Sequence, residues 1–324
     1  MVPAELIVPA GLIVVDKAPG MTSHDVVSRL RRMLHTRRIG HAGTLDPMAT
    51  GVLVCGVHRA TKLLGHLQLE PKVYRGTVRL GESTSTDDAQ GEHVGGADAS
   101  EVSEPAILAG IRALTGAIEQ VPSAVSAVKV GGKRAYALVR AGEQVRLAAR
   151  PVTVSRFELL AVRRYADPGR DVIDLDVLVE CGGGTYVRAL ARDLGAGLGV
   201  GGHLTALRRT SVGPFGLDTA RTLDELAQHP VLTADLDQAV RTAFPRRAVD
   251  GEQARVLANG GRLPAAGLAG TSAAFDPDGH AIALLTEIGP VARPVLVLRP
   301  ATEAPVTEAP VTGSPVAGSP ATES

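Results

Sequence analysis

Apolar residues in this chain change their spacing several times, and each change marks an element. Gly11–Val15 is an unbroken apolar run that predicts a strand. A Pro/Gly turn follows at Asp16–Ser23, where Thr22 or Ser23 offers a helix cap. Beyond it Val26, Val27, Leu30, Met33 and Leu34 fall at helical spacing. The other face of that helix is basic, with Arg29, Arg31, Arg32 and His35, and Arg37 and Arg38 follow it. Val52–Val57 reads as a buried strand and Val73–Leu80 as an alternating one. Pro105–Leu114 places Ile107, Leu108, Ile111 and Leu114 on one helix face. Pro151–Val162 and Val172–Glu180 read as strands, the second alternating apolar and acidic residues. Thr185 is placed to cap a helix with Tyr186, Arg188 and Arg192 near its start, and Thr222–Leu226 opens a short helix.

After Pro245–Arg247 the apolar runs shorten to Ala281–Leu285 and Val295–Leu298, split by Gly and Pro and by a turn at Asp276–Gly279. That pattern predicts a second, small β-rich domain. We therefore expect an α+β protein: a domain at 1–245, a domain at 246–300, and a tail at 301–324. The tail is a near-pentapeptide repeat (EAPVT, EAPVT, GSPVA, GSPAT) without aromatic or basic residues, and it is expected to be disordered. Within the first domain, the acidic, Gly- and Ser-rich segment 82–104 is expected to be a flexible loop.

Composition narrows the class. The chain has 324 residues, 44% of them hydrophobic, enough for two packed domains. No apolar run approaches the ~20 residues of a membrane span, and the N-terminus lacks a signal-peptide pattern. A cytoplasmic protein with no membrane partner is expected. Two cysteines, Cys55 and Cys181, sit in apolar runs and suggest buried thiols rather than a disulfide or a metal site. Formal net charge is zero, yet the charge is unevenly spread. Residues 1–79 hold 11 Lys/Arg and 5 acids, residues 80–111 hold 7 acids and no Lys/Arg, and residues 112–170 hold 11 Lys/Arg and 4 acids. Two basic blocks of +6 and +7 thus flank an acidic one, either as a phosphate-binding surface or as ordinary solvated faces.

The stretch richest in candidate chemistry is GHAGTLDPMATGVLVCGVHRATK, Gly40–Lys62. Pro47 pushes Asp46 towards an extended or turn conformation, on a loop that feeds a buried strand. A carboxylate on such a loop is well placed for catalysis, though an isolated Asp-Pro is more often a turn former. The neighbouring motifs decide between the two. DKAPGMTSHDVV (Asp16–Val27), the Gly40–Lys62 stretch, KVYRGTVRLGESTSTDDAQG (Lys72–Gly91), VPSAVSAVKVGGKRAY (Val121–Tyr136), GGGTYVRALARDLG (Gly182–Gly195) and GGHLTALRRTSVGPF (Gly201–Phe215) together resemble, in the same order, the motifs of the tRNA pseudouridine synthase B (TruB) family.

The resemblance implies a pseudouridine synthase catalytic domain built on a long, mainly antiparallel sheet, followed by a small PUA-like RNA-binding domain. It implies isomerisation of uridine to pseudouridine at position 55, in the T-loop of tRNA. Asp46 is then the catalytic aspartate, Tyr74 the residue that stacks on the base, and Arg188 the partner of the aspartate. His41 resembles the residue that helps to flip the nucleotide, and Lys17, Tyr186 and Leu207 match positions of the uridine pocket, beside Thr44 in the Asp46 motif. Val125 stands where many members carry an aromatic residue. Arg31, Arg32, Arg37, Arg38, Lys62, Lys129, Arg208 and Arg209 are the expected contacts to the RNA backbone.

The reaction is redox-neutral, so it requires neither hydride carrier nor ATP, and the chain shows no Walker loop, dinucleotide-binding turn or metal-ligand cluster. No cofactor and no metal are expected; the partner is tRNA through its T-arm, and the protein is expected to be a monomer. Two other readings use the same residues. One is a non-catalytic tRNA-binding or tRNA-folding protein on this scaffold, against which the intact Asp46, Tyr74 and Arg188 argue. The other is a hydrolase that uses Asp46 as a nucleophile on a small molecule, which needs no basic surface.

Overall fold

The computed structural model of the chain describes residues 8–125, 129–130, 132–134, 147–167 and 170–301. The side chain of Lys129, part of the Val121–Tyr136 motif and the repeat from residue 302 onward lie outside the described residues. The chain divides into two compact units, Met1–Pro245 and Arg246–Ser324.

In the first unit the strands are, in chain order, β1 (Gly11–Lys17), β2 (Ile39–His41), β3 (Thr50–Val57), β4 (Lys72–Leu80), β5 (Ser83–Thr84), β6 (His93–Gly95), β7 (Gly116–Gln120), β8 (Lys129–Val130), β9 (Lys133–Arg134), β10 (Arg150–Asp167), β11 (Arg170–Cys181), β12 (Gly202–Val212), β13 (Phe215–Gly216) and β14 (Ala234–Asp235). Among the described residues, ten of them form one sheet in the order β14-β1-β3-β12-β4-β11-β10-β7, with β2 beside β3 and β13 beside β12. Every pairing in it is antiparallel except β12 with β3.

The helix Ser23–Met33 shows how the apolar spacing is used. Thr22 caps it: its hydroxyl accepts from the Asp25 amide at 3.1 Å, and the Asp25 carboxylate accepts from the Thr22 amide at 2.8 Å. Val26, Val27 and Leu30 are buried in the same core as Ile13, Val15, Leu53 and Cys55. On β11 the acidic residues of the alternating pattern find partners on the neighbouring strands. Asp174 faces Arg79 and binds it at 2.8 Å, and Asp176 faces Thr77 and binds both it and Arg163.

Two features differ from the sequence reading. Strand β12, which has no clear alternation, lies in the middle of the sheet between β3 and β4. Its register sets Arg209 opposite Gly51 on one side and Tyr74 on the other. The close approach demands glycine: a Cβ on Gly51 would lie 2.1 Å from the Arg209 carbonyl oxygen, and its φ is +98°. The segment 82–104, expected to be a flexible loop, is instead folded: β5 pairs with β6, the Ala89 amide donates to the Leu204 carbonyl at 2.9 Å and the Leu204 amide donates to the Asp87 carbonyl at 3.1 Å. Asp88 is buried there, because arginines from a helix a hundred residues away supply the charges its acids need.

The second unit holds β15 (Arg246–Ala248), β16 (Leu263–Pro264), β17 (Thr271–Phe275), β18 (Ala281–Ile288) and β19 (Val291–Val297) in the order β15-β17-β18-β19-β16. Its helix, Gly251–Ala258, is capped by Asp250 and buries Leu257 against Val249, Leu263, Ile282 and Leu285. Among the described residues no helix is long and apolar enough to cross a membrane.

Candidate active site

Asp46 sits on the connection between the paired strands β2 and β3. Its own carbonyl closes a tight turn by accepting from Ala49 N at 3.1 Å. Two buried side chains hold this loop from below. The Ser23 hydroxyl donates to the Leu45 carbonyl at 3.1 Å and accepts from the Leu45 amide at 2.8 Å. The Lys17 ammonium, fully buried, donates to the carbonyls of Ala18, Met21 and Pro47 at 3.0, 2.8 and 3.3 Å. Burial lowers the Lys17 pKa to about 8, with Asp46 pulling it partly back up. Backbone carbonyls thus fix the loop that carries the carboxylate, and that carboxylate remains about one third exposed.

Arg188 meets it from the start of the helix Val187–Gly197. Its Nε and Nη2 reach the two Asp46 oxygens at 2.9 and 3.1 Å, a two-pronged pair. Arg188 is only 4% exposed, and its remaining donors are also used. They bind the Thr86 carbonyl at 2.7 Å, the Val125 carbonyl at 2.8 Å and the Asp88 carboxylate at 3.4 Å. Asp88 is itself oriented by the Thr86 hydroxyl and the Gln90 amide. The contact to Val125 is made by its backbone, so it does not depend on an aromatic side chain there. Four residues along the helix, Arg192 binds Asp87 and the Val121 carbonyl. The Gln120 side chain clamps both the amide and the carbonyl of Tyr186, which fixes the helix entry.

Above the ion pair opens a cavity of about 190 Å³. Of the residues singled out in the sequence, Asp46, Arg188, Tyr74, Thr44, Tyr186 and Leu207 line it. Tyr74 is 7% exposed, and burial raises the pKa of its phenol, so it is a neutral ring. Gln68, Lys72, Thr185 and Arg209 line the same cavity. Lys72 and Tyr74 stand two apart on β4 and so share a face. The Lys72 ammonium donates to the Gln68 and Glu70 carbonyls at 2.7 and 2.6 Å, and burial lowers its pKa to about 8. The thiols of Cys55 and Cys181 are pushed up by burial to about 12 and about 11, which leaves them unreactive.

Several expected site residues lie elsewhere. Lys17 does not line the cavity; it is the support beneath the Asp46 loop. His41 is half-buried on β2 opposite Cys55 and also does not line it. Arg209, expected at the RNA backbone, is 1% exposed: its Nε holds the Val52 carbonyl at 2.7 Å and its Nη2 the Gly43 carbonyl at 3.2 Å. A cation so enclosed cannot serve an outer phosphate surface, and it belongs to the cavity wall. Arg208 forms a two-pronged pair with Asp16 at 3.0 and 2.7 Å. Arg31 turns one nitrogen to the Ile39 carbonyl at 2.8 Å, whereas Arg32, Arg37, Arg38 and Lys62 are exposed. Among the described residues one trio, Asp276, Asp278 and His280, brings possible metal-ligand atoms within 4.8 Å; it lies in the second unit, on a turn that its own hydrogen bonds explain.

Residues 31–187 match the TruB family pseudouridylate synthase N-terminal domain, residues 188–244 the tRNA pseudouridylate synthase B C-terminal domain, and residues 244–299 the tRNA pseudouridine synthase II C-terminal domain. A curated relative, tRNA pseudouridine synthase B of Nocardia farcinica, is 63% identical over 290 residues, covering 90% of this chain and 94% of its own. The chain belongs to the tRNA pseudouridine synthase B family. The protein of that name from Rhodococcus jostii is 58% identical over 93% of this chain and 97% of its own, and that from Mycobacterium tuberculosis 57% identical over 90% and 97%. Among solved structures, a chain of a Cbf5-Nop10-Gar1 complex aligns with a TM-score of 0.66 at 26% identity, over 90% of this chain and 85% of its own. A chain of the archaeal box H/ACA sRNP Nop10-Cbf5 complex gives 0.65 at 26% identity, over 92% and 89%. The boundary between the first two family matches, at 187/188, divides Arg188 from Asp46, yet both belong to one structural unit.

Proposed function

We propose that this protein isomerises uridine to pseudouridine at position 55 in the T-loop of tRNA, with Asp46 as the group that acts on the sugar. The coarser part, an isomerase that forms pseudouridine in tRNA, follows from membership of the family. The observation that carries the finer part is the two-pronged Asp46–Arg188 pair lining the same cavity as Tyr74. The reaction breaks N1–C1′, turns the base and joins C5 to C1′. It requires an ionised oxygen nucleophile or base beside the sugar, held in place, and Arg188 favours the charged carboxylate and fixes its direction. The target base leaves its stack at a cost of a few kcal/mol, and a buried tyrosine ring offers ~1–3 kcal/mol of stacking in return. A T-loop is a short structured hairpin, read by shape and splayed bases, with phosphate contacts fixing its position. The exposed Arg32, Arg37, Arg38 and Lys62 are suited to such contacts.

The test is incubation with an unmodified tRNA transcript and with an isolated T-arm hairpin, followed by mapping of pseudouridine. We expect both to be modified at the same T-loop uridine, and Asp46→Asn to lose activity by at least about 10⁴-fold while its affinity for tRNA stays within about threefold, because phosphate contacts dominate affinity. Modification at another position, or turnover by Asp46→Asn well above background, overturns this reading.

A further inference from the structure

The cavity wall holds two buried cations side by side, neither of which makes a hydrogen bond to a carboxylate among the described residues. Asp46 and Asp88 are both committed to Arg188. Lys72 and Arg209 remain, 6% and 1% exposed. A Cβ built on Gly43 would lie 3.6 Å from both Lys72 Cε and Arg209 Nη1, so the two cations converge beneath the Asp46 loop. Their hydrogen bonds run to backbone carbonyls: Gln68 and Glu70 for Lys72, Val52 and Gly43 for Arg209, which also meets the Tyr74 hydroxyl. Glu70, whose carbonyl Lys72 binds, is a further carboxyl in reach of Lys72, and its charge acts on Lys72 less strongly than burial and Arg209 do. Burying two like charges beside each other is costly unless something repays it. Support of carbonyls alone does not require it, since neutral amide side chains donate equally well. Such a floor is suited to a ligand that is neutral on entry and becomes negative during the reaction.

We propose that Lys72, backed by the fixed charge of Arg209, donates a hydrogen bond to a carbonyl oxygen of the uracil and stabilises the negative charge that the base carries when its bond to the sugar breaks. The inference rests on the uridine isomerisation proposed above. Whether Asp46 attacks C1′ or removes a sugar proton, the N1–C1′ electron pair leaves with the base. The resulting anion spreads its charge from N1 onto O2 and O4. The base then turns, C5 bonds to C1′, the Asp46 carboxylate is restored, and the C5 proton passes to N1, so the product is an isomer of the substrate. Two of the three ammonium protons of Lys72 are used by the Gln68 and Glu70 carbonyls, which aim the group and leave one N–H for the base.

The experiment is single-turnover loss of the target nucleoside from tRNA transcripts carrying uridine or 5-fluorouridine, with wild type, Lys72→Met and Lys72→Arg. Lys72→Met is expected to slow uridine turnover by about 10²-fold or more, the size of loss seen when one donor to a developing anion is removed. Its Kd for tRNA is expected to stay within about threefold, because phosphates dominate binding. Fluorine at C5 withdraws electrons and stabilises the departing base by itself. With 5-fluorouridine the same variant is therefore expected to lose less than about tenfold. Equal losses on both bases, or an unaltered rate on uridine, overturn the proposal.

A pH profile decides if Lys72→Met does not fold. Arg209, Cys181 and Glu70 act on Lys72, which shares the cavity with Tyr74, and its ammonium is lost as pH rises through about 8. The wild-type rate is expected to fall above that pH more steeply than the Lys72→Arg rate, because a guanidinium keeps its proton and any fall caused by Lys17, which also titrates at about 8, is common to both. Identical alkaline limbs overturn the proposal. Absence of pseudouridine with wild type is a distinct result and refutes the functional reading itself.

Discussion

Arginines at the first helix and arginines around the cavity obey opposite rules. Arg32, Arg37 and Arg38 project from the surface and are free to follow any phosphate that comes near. Arg188 is buried, and every arm of its guanidinium is assigned: two to Asp46, others to Asp88 and to the Thr86 and Val125 carbonyls. Position matters for the second group and only net charge for the first. On the function proposed above, the same residue type is expected to supply tRNA affinity in one region and geometry in the other.

The largest effect that tests this contrast is at Arg188. Arg188→Lys keeps the charge but cannot make a two-pronged pair, so we expect activity to fall by about 10²–10³-fold with tRNA affinity nearly constant. Arg188→Ala also leaves Asp88 buried without its cation, and a loss of ~3–5 kcal/mol of stability is expected in urea titration. A Lys variant with near-normal turnover breaks the claim that geometry decides there. The surface group is expected to behave in the converse way. Replacing Arg32, Arg37 and Arg38 with Ala should weaken tRNA binding about 10- to 100-fold at moderate salt, and lower the slope of log K against log salt by about 2–3. Turnover of bound substrate should be unaltered; a loss of single-turnover rate at saturating enzyme would merge the two groups.

The smallest effect is a pH dependence of folding. Lys17 and Lys72 have pKa values lowered from 10.5 to about 8, so the unfolded chain binds more protons between those values. Stability from these two groups therefore rises as pH climbs through about 8. Cys55 and Cys181, raised from 9.0 by burial, oppose this above their unfolded value. Urea midpoints between pH 7.5 and 9 should isolate the lysine contribution, and Lys17→Met should flatten the rise.

Legibility in the sequence followed the same division. The cap at Thr22, the apolar face of Val26, Val27 and Leu30, and the alternation of Val172–Glu180 act locally, and each appears as an element. Asp46, Tyr74 and Arg188 were visible because they stand in long motifs that keep their order. Strand β12 was not, because Arg209 occupies an inward position where the alternation calls for an apolar residue. Arg209 reads in the sequence as a surface cation and Lys72 carries no signal of its own, since nothing within a few residues of either reveals that the chain folds over it. Asp88 was counted in an acidic block, yet its partner comes from residue 188. In each case the missing information is a pairing between distant segments, which periodicity does not carry.

The place of β12 has a consequence for the order of events during synthesis. Strands β3 and β4 are consecutive in the chain, but β12 lies between them, about 150 residues after the end of β3. Until β12 has been synthesised, both strands lack their shared neighbour, and the cavity wall at Arg209 is not in place. Such long-range pairing is slow and leaves edges open in the meantime. A nascent chain of this protein thus holds Asp46 and Tyr74 early, but the cavity that both line is closed only near the end of its first unit. The growing polypeptide stays inert towards RNA chemistry until its fold is nearly complete.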